Sequence, residues 1–284
     1  MIADAISALF SYTFMLRALI VGVLVSVCAS LLGVSLVLKR FSMIGDGLSH
    51  VGFGALAIAA ALNMAPLKLA VPVVIVAAFL LLKINEKSRL GGDAAIALIS
   101  TSALAIGVVA VSVSGGVNID VNNYMFGSIL GLSESDMWLS IVLAAIVIPL
   151  FVIMYNRIFA VTFDETFAVS TGINANLYNI IIAVLTAFTI VLGMRLMGTL
   201  LISGLIIFPS ITSMRVFRSF KGVVISSAVI PVISFTVGLA ASFALSSPPG
   251  ASVVVVNMLM FLLFRLYEMI SGSVKTRKKA QGGR

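Results

Sequence analysis

The sequence predicts an all-α fold: a polytopic membrane helical bundle of about nine transmembrane helices, or eight if two neighbours form one bent element. Two observations carry this. First, 61% of the 284 residues are hydrophobic and only 10% are charged, where soluble domains carry roughly 25% charged residues. A water-soluble fold cannot cover that much apolar surface. Second, the apolar residues fall into runs near the ~20-residue length that crosses a bilayer as a helix. The spacing of the Lys and Arg residues between those runs then gives them a consistent direction.

In chain order the runs are Leu16–Leu38, Gly47–Ala61, Pro66–Leu82, Ala94–Val113, Trp138–Tyr155, Leu177–Val191, Leu196–Met214, Val223–Leu245 and Ala251–Leu266. The second is short, so its helix is expected to start earlier, near Ser42. Between the sixth and seventh, Gly193-Met194-Arg195 is the weakest boundary and decides between eight and nine spans. Pro209 in the seventh run is expected to kink or break its helix, because proline removes a backbone donor and clashes with the preceding turn. One transmembrane domain thus covers residues 1–272. Residues 273–284, rich in Lys and Arg, read as a disordered polybasic cytoplasmic tail able to lie on anionic lipid.

Lys and Arg accumulate on the cytoplasmic side of membrane proteins. With the N-terminus outside, 15 of the 18 basic residues fall on one side, among them Lys39, Arg40, Arg157, Arg215 and the tail set. The other side keeps Arg17, Lys68 and Arg195. This predicts a multi-pass protein of a bacterial-type plasma membrane with an outer N-terminus and a cytoplasmic C-terminus. It also makes the net charge of +8 a topology signal and excludes nucleic acid as the partner. Met1 to Leu16 carries Asp4 and no basic residue, unlike a cleavable signal peptide, so the first spans are expected to serve as uncleaved insertion signals. Cys28, the one cysteine, lies in an apolar run and supports neither a disulfide nor a thiolate cluster within one chain.

Two connections are longer than the rest. The outer one, Ser114–Asp136, holds Asp120, Glu134 and Asp136 with no Lys or Arg. The inner one contains Phe163-Asp164-Glu165-Thr166-Phe167-Ala168 and then Gly172. Asp164 and Glu165 suit the first turn of a short helix, where carboxylates complement the N-terminal dipole, and Gly172 suits its C-terminal stop. Phe167 and Ala168 would give that helix a small apolar side, fit for docking a soluble partner.

His50 is the one histidine, and it stands four residues after Asp46. On a helix the two side chains share a face, one turn apart. Ionisable groups in a membrane segment are costly and usually face a protein interior or a water-filled path. The pair reads either as a helix cap beside a packed histidine or as two metal ligands. Two ligands are too few for zinc or manganese. A second copy across a twofold axis would supply four. Nitrogen with oxygen suits Zn2+, Mn2+ or Fe2+ better than copper(I). Small residues at Gly45, Gly47, Ser49, Gly52, Gly54 and Ala55, and again from Gly198 to Gly204, mark close helix approach. The sequence has no Gly-x-x-x-x-Gly-Lys-Ser/Thr loop and no His-Glu-x-x-His pair, the devices of nucleotide hydrolysis and zinc proteolysis. The chain is therefore expected to be no enzyme and to hold no tightly bound cofactor.

Four stretches together resemble the membrane permease subunits of zinc and manganese ABC importers. They are Lys39-Arg40-Phe41-Ser42-Met43-Ile44-Gly45-Asp46-Gly47-Leu48-Ser49-His50; Asp120 with Tyr124-Met125-Phe126-Gly127; Phe163 to Ala168 with Gly172; and Met197-Gly198-Thr199-Leu200-Leu201-Ile202-Ser203-Gly204-Leu205-Ile206-Ile207-Phe208-Pro209. The resemblance implies a type II importer fold, similar to vitamin B12 and siderophore permeases. It also implies a homodimer, two cytoplasmic ATPase subunits and an extracytoplasmic metal-binding protein. Asp46 and His50 match the metal-path residues, and Asp164 to Gly172 the ATPase coupling helix. Some zinc-type relatives carry a histidine where this chain has Ile99-Ser100-Thr101-Ser102, and manganese-type relatives often follow their histidine with Pro-Gly where it has Val51-Gly52-Phe53-Gly54. The metal stays open between Zn2+ and Mn2+, with a lean to zinc. Competing readings are a permease for a metal chelate or siderophore and an ion-coupled secondary transporter.

Overall fold

A computed structural model describes residues 12–87, 92–114, 127 and 131–281, without side chains at 82–87, 92–93 and 272–281. Eleven helices are present among the described residues. They are α1 (Thr13–Leu38), α2 (Ile44–Ala61), α3 (Pro66–Lys87), α4 (Gly92–Val113), α5 (Glu134–Ile153), α6 (Tyr155–Phe163), α7 (Glu165–Ser170), α8 (Ala175–Met197), α9 (Thr199–Val216), α10 (Phe220–Leu245) and α11 (Pro249–Gln281). Eight of them are long and apolar enough to cross a membrane, and α3 adds a shorter apolar stretch, Pro66–Leu81. At 1.5 Å per residue that stretch reaches about 24 Å, against a hydrocarbon core of about 30 Å. Each of the nine predicted runs falls mainly on one helix, with Leu196 and Met197 of the seventh lying in α8 and Tyr155 of the fifth in α6. α2 begins at Ile44, close to the early start that its short run demanded.

The helix ends follow from local chemistry. Ser133 and Asp136 form a reciprocal capping box at the start of α5, and the side chains of Asn174 and Ser219 cap α8 and α10. Each satisfies a backbone N–H that the first helical turn leaves unpaired. The boundary between the sixth and seventh runs falls at Gly198, and α8 runs unbroken through Gly193-Met194-Arg195. Gly198 has φ 91° and ψ 160°, a region open essentially to glycine alone. Pro209 does not break α9, which continues to Val216. The buried Ser213 and Ser227 hydroxyls donate to its carbonyl at 2.7 and 3.3 Å.

α1, α8 and α9 form the centre. α10 and α11 pack on one side, where α10 meets α1 and α11 meets α9 and α10. α2 with α3 and α4 packs on the other, and α2 also touches α8 and α9. About 72% of the apolar window is buried in α1 and in α2, against 17% in α4 and 11% in α11. Several of the predicted small residues do permit close approach. A Cβ on Gly54 would stand 2.4 Å from the Ala103 carbonyl oxygen of α4, and one on Gly33 would stand 2.1 Å from the Ile206 carbonyl oxygen of α9.

Ion pairs mark the two ends of the bundle. At one, Arg17 binds Glu134 at 2.6 Å and Arg195 approaches Asp136 at 3.6 Å. At the other, Lys39 binds Glu165 at 3.2 Å. Asp120, Tyr124, Met125 and Phe126 lie outside the described residues. So do Arg89, the tail residues 282–284 and the side chains of the tail before them.

Candidate metal path and cytoplasmic docking helix

Asp46 and His50 lie in the first two turns of α2. The shared face predicted by the i, i+4 spacing is present: His50 Nε2 stands 3.7 Å from Asp46 Oδ2. Zinc binds nitrogen and oxygen ligands at about 2.0–2.2 Å, so an ion bridging this pair would subtend about 120° between them, wider than a tetrahedral angle. A small rotation of either side chain narrows it. Asp46 is about two-fifths exposed and His50 about one-quarter, so both side chains are partly open while their helix is packed. His50 Nδ1 is buried with no hydrogen-bond partner among the described residues.

Tertiary packing adds a third polar group that the i, i+4 reading omits. Ser203 Oγ, on α9, stands 3.5 Å from Asp46 Oδ1 and donates to the Thr199 carbonyl at 2.8 Å. Its signal in the sequence was the small-residue stretch Gly198–Gly204. Ile206 of α9 abuts Gly45, and the Met194 side chain of α8 abuts Gly52. Ser203 thus places α9 beside Asp46, while Gly45 and Gly52, on another face of α2, pack against α9 and α8. Gly127, with φ 74°, packs on the break between α8 and α9; a Cβ there would stand 2.2 Å from the Met197 carbonyl carbon and oxygen. Elsewhere on α2, a cavity of about 300 Å³ is lined by Val51, Ala55, Ile58, Leu69, Val73 and Ile106, among others. It is apolar and contains neither Asp46 nor His50, so it offers no ligand.

Among the described residues, no group of three or more His, Cys, Asp or Glu side chains could hold a metal ion. Cys28 is buried within α1 and unpaired. Ser100, where the resemblance raised the question of a histidine, is buried and donates to the Ala97 carbonyl at 3.1 Å.

The short helix α7 forms as its sequence dictates. The Asp164 side chain caps it by accepting from the Phe167 N–H at 2.8 Å. At its end Gly172, with φ 84°, gives the left-handed turn in which Gly172 N–H donates to Val169 O and Ile173 N–H to Ala168 O. This paired bonding past the helix end is the glycine-terminated stop expected from the sequence. The expected single apolar side is split, however. Ala168 is buried against Val161, Ala175 and Tyr178, while Phe167 is 60% exposed, beside Val169 at 58% and Phe163 at 57%. Residues adjacent in a helix point about 100° apart, so Phe167 and Ala168 cannot serve one face. Ala168 anchors the helix; Phe167 and Val169 project separately from its exposed sides, and Phe163, the last residue of α6, is exposed as well.

Among the described residues, a helical bundle with eight helices long and apolar enough to cross a membrane has the architecture of a polytopic membrane protein. The profile of the ABC 3 transport family matches residues 11–268, and the chain belongs to that family. It is 26% identical to the manganese transport system membrane protein MntC of Listeria monocytogenes, over 96% of this chain and 98% of that one. It is 27% identical to the high-affinity zinc uptake system membrane protein ZnuB of Haemophilus influenzae, over 89% of this chain and 97% of that one. The solved structure of PsaBC from Streptococcus pneumoniae in complex with Fab superposes with a TM-score of 0.83, 26% identity, and coverage of 95% of this chain and 100% of the matched one.

Proposed function

We propose that this chain is the membrane-spanning permease subunit of an ATP-driven importer for a divalent transition metal, Zn2+ or Mn2+, with Fe2+ within the same chemical range. The observation that carries the proposal is the Asp46–His50 pair, 3.7 Å apart and solvent-accessible on a helix otherwise packed into the bundle. Its donor set is oxygen and nitrogen, the chemistry these ions share. A half-filled ligand set supports a twofold partner: a second copy would bring Asp46 and His50 to four ligands, a weak site that loads and releases its ion. Relatives named for manganese and for zinc match at nearly equal identity, so the lean toward zinc is dropped.

The exposed Phe167 and Val169 of α7, with Phe163 at the end of α6, support docking of cytoplasmic ATPase subunits, which would hydrolyse the ATP. In this reading the end of the bundle holding Lys39 and Glu165 is cytoplasmic, the N-terminus is outside and the C-terminus inside. An extracytoplasmic metal-binding protein delivers the ion to the opposite end, near Arg17 and Arg195. The membrane is a bacterial-type plasma membrane.

The test is metal-resolved uptake in cells lacking their own zinc and manganese importers. Losing a partner of a ligand already costs 10–100-fold in metal affinity, so Asp46→Ala and His50→Ala are each expected to lower uptake by about 100-fold or more with expression unchanged. Normal uptake in both variants would remove the proposed path.

A further inference from the structure

Resting on the transport reading, we infer that Lys39, Glu165 and Asn179 form a coupling joint that ties the docking helix to the helix carrying the metal pair. Lys39 Nζ donates to Glu165 Oε2 at 3.2 Å and to Asn179 Oδ1 at 2.5 Å. Asn179 Nδ2 closes the ring by donating to Glu165 Oε1 at 3.1 Å. Three helices meet in it: Lys39 ends α1, Glu165 begins α7, and Asn179 lies in the second turn of α8. The Lys39 side chain is only 15% exposed. A charge so far withdrawn from water depends on its partners more than a surface lysine does.

The chain that follows Lys39 is built to transmit rather than absorb displacement. Arg40 adopts φ 64°, a left-handed position that normally favours glycine. It completes a turn in which Arg40 N–H donates to Val37 O and Phe41 N–H to Leu36 O at 2.8 Å. Phe41 is buried, and Ile44 N–H, the start of α2, donates back to Phe41 O at 3.0 Å. Asp46 follows two residues later. On the other side, α7 is fixed to α8 by Ala168 against Ala175 and Tyr178. A push on the exposed face of α7 therefore reaches Lys39 through two hydrogen-bonded contacts and reaches α2 through a turn with little slack.

The test uses the complex of permease and ATPase subunits in proteoliposomes, with Mn2+ and Zn2+ as probes. Lys39→Met keeps the aliphatic stem and removes the charge. It is expected to leave ATPase co-purification, ATP hydrolysis and metal binding unchanged while uptake per ATP hydrolysed falls at least about fivefold, the lower end of coupling between distant sites. The double variant K39E/E165K should recover much of that loss, because the Asn179 amide can turn over and serve both reversed charges. Asn179→Ala keeps both charges and should lose uptake per ATP by a smaller factor. A purely structural role would lower the yield of assembled complex instead of this ratio. Unchanged uptake per ATP in Lys39→Met, or a double variant no better than Lys39→Glu alone, overturns the inference. A wild-type permease that retains no ATPase subunit overturns the transport reading itself, and the joint with it.

Discussion

α2 and α11 invert the ordinary relation between polarity and burial. α2 is the less apolar of the two by mean hydropathy, yet 72% of its apolar window is buried; α11 is the more apolar, and only 11% of its window is buried. In water this would be perverse. In a bilayer an apolar side chain gains little by leaving lipid for protein, so association is driven by close packing and polar contacts. α2 has the residues for both. Gly45, Gly47, Gly52 and Gly54 bring α4, α8 and α9 close, and Asp46 and His50 need an environment other than hydrocarbon. α11 instead shows Leu259, Leu262, Leu263, Leu266 and Ile270, each half-exposed or more.

Three substitutions break or sharpen this contrast. Gly54→Leu attacks the closest contact of α2: its Cβ would stand 2.4 Å from a backbone carbonyl oxygen, which cannot move aside cheaply. Overpacking of this kind costs about 3 kcal/mol, so thermal unfolding of the detergent-purified protein should shift clearly downward. An unchanged melting temperature would mean that close approach does not hold α2. Ser203→Ala removes the 3.5 Å contact to Asp46 and leaves the packing. A hydrogen bond of this length contributes at most about 1 kcal/mol, so uptake should weaken by no more than about fivefold, seen as a higher KM for the metal. Leu263→Ala on α11 acts at a side chain 60% exposed and should change stability by less than about 0.5 kcal/mol, checked by the same thermal measurement. A large effect there would identify a face covered by protein rather than lipid.

Much of the fold was legible in the sequence because hydrophobic length and charge placement are local properties. Each apolar run became a helix, and Asp164 and Gly172 bounded α7 as their side chains dictate. The same locality explains the misses. Gly193-Met194-Arg195 is the weakest boundary in the sequence because two apolar runs sit almost back to back there; α8 continues through it to Met197, with Asp136 of α5 beside Arg195. Proline in a helix permits a kink or a break; α9 continues through Pro209 to Val216, so the helix is not broken there. Phe167 and Ala168 are neighbours in sequence, but a helix turns about 100° between them, so one is exposed and the other buried.

The candidate site divides along the same line. The i, i+4 spacing of Asp46 and His50 is a property of one helix, so the sequence by itself determined that they share a face. It also determined the membrane class, the segment lengths and the capped helix α7. Only the tertiary structure decided that Ser203 stands over Asp46, that Gly127 packs on the Gly198 break, and that Lys39 reaches Glu165 and Asn179 across intervals of 126 and 140 residues. Contacts at such separations leave no periodicity in one sequence. They exist because glycines let particular backbones approach and because withdrawn charges must find partners.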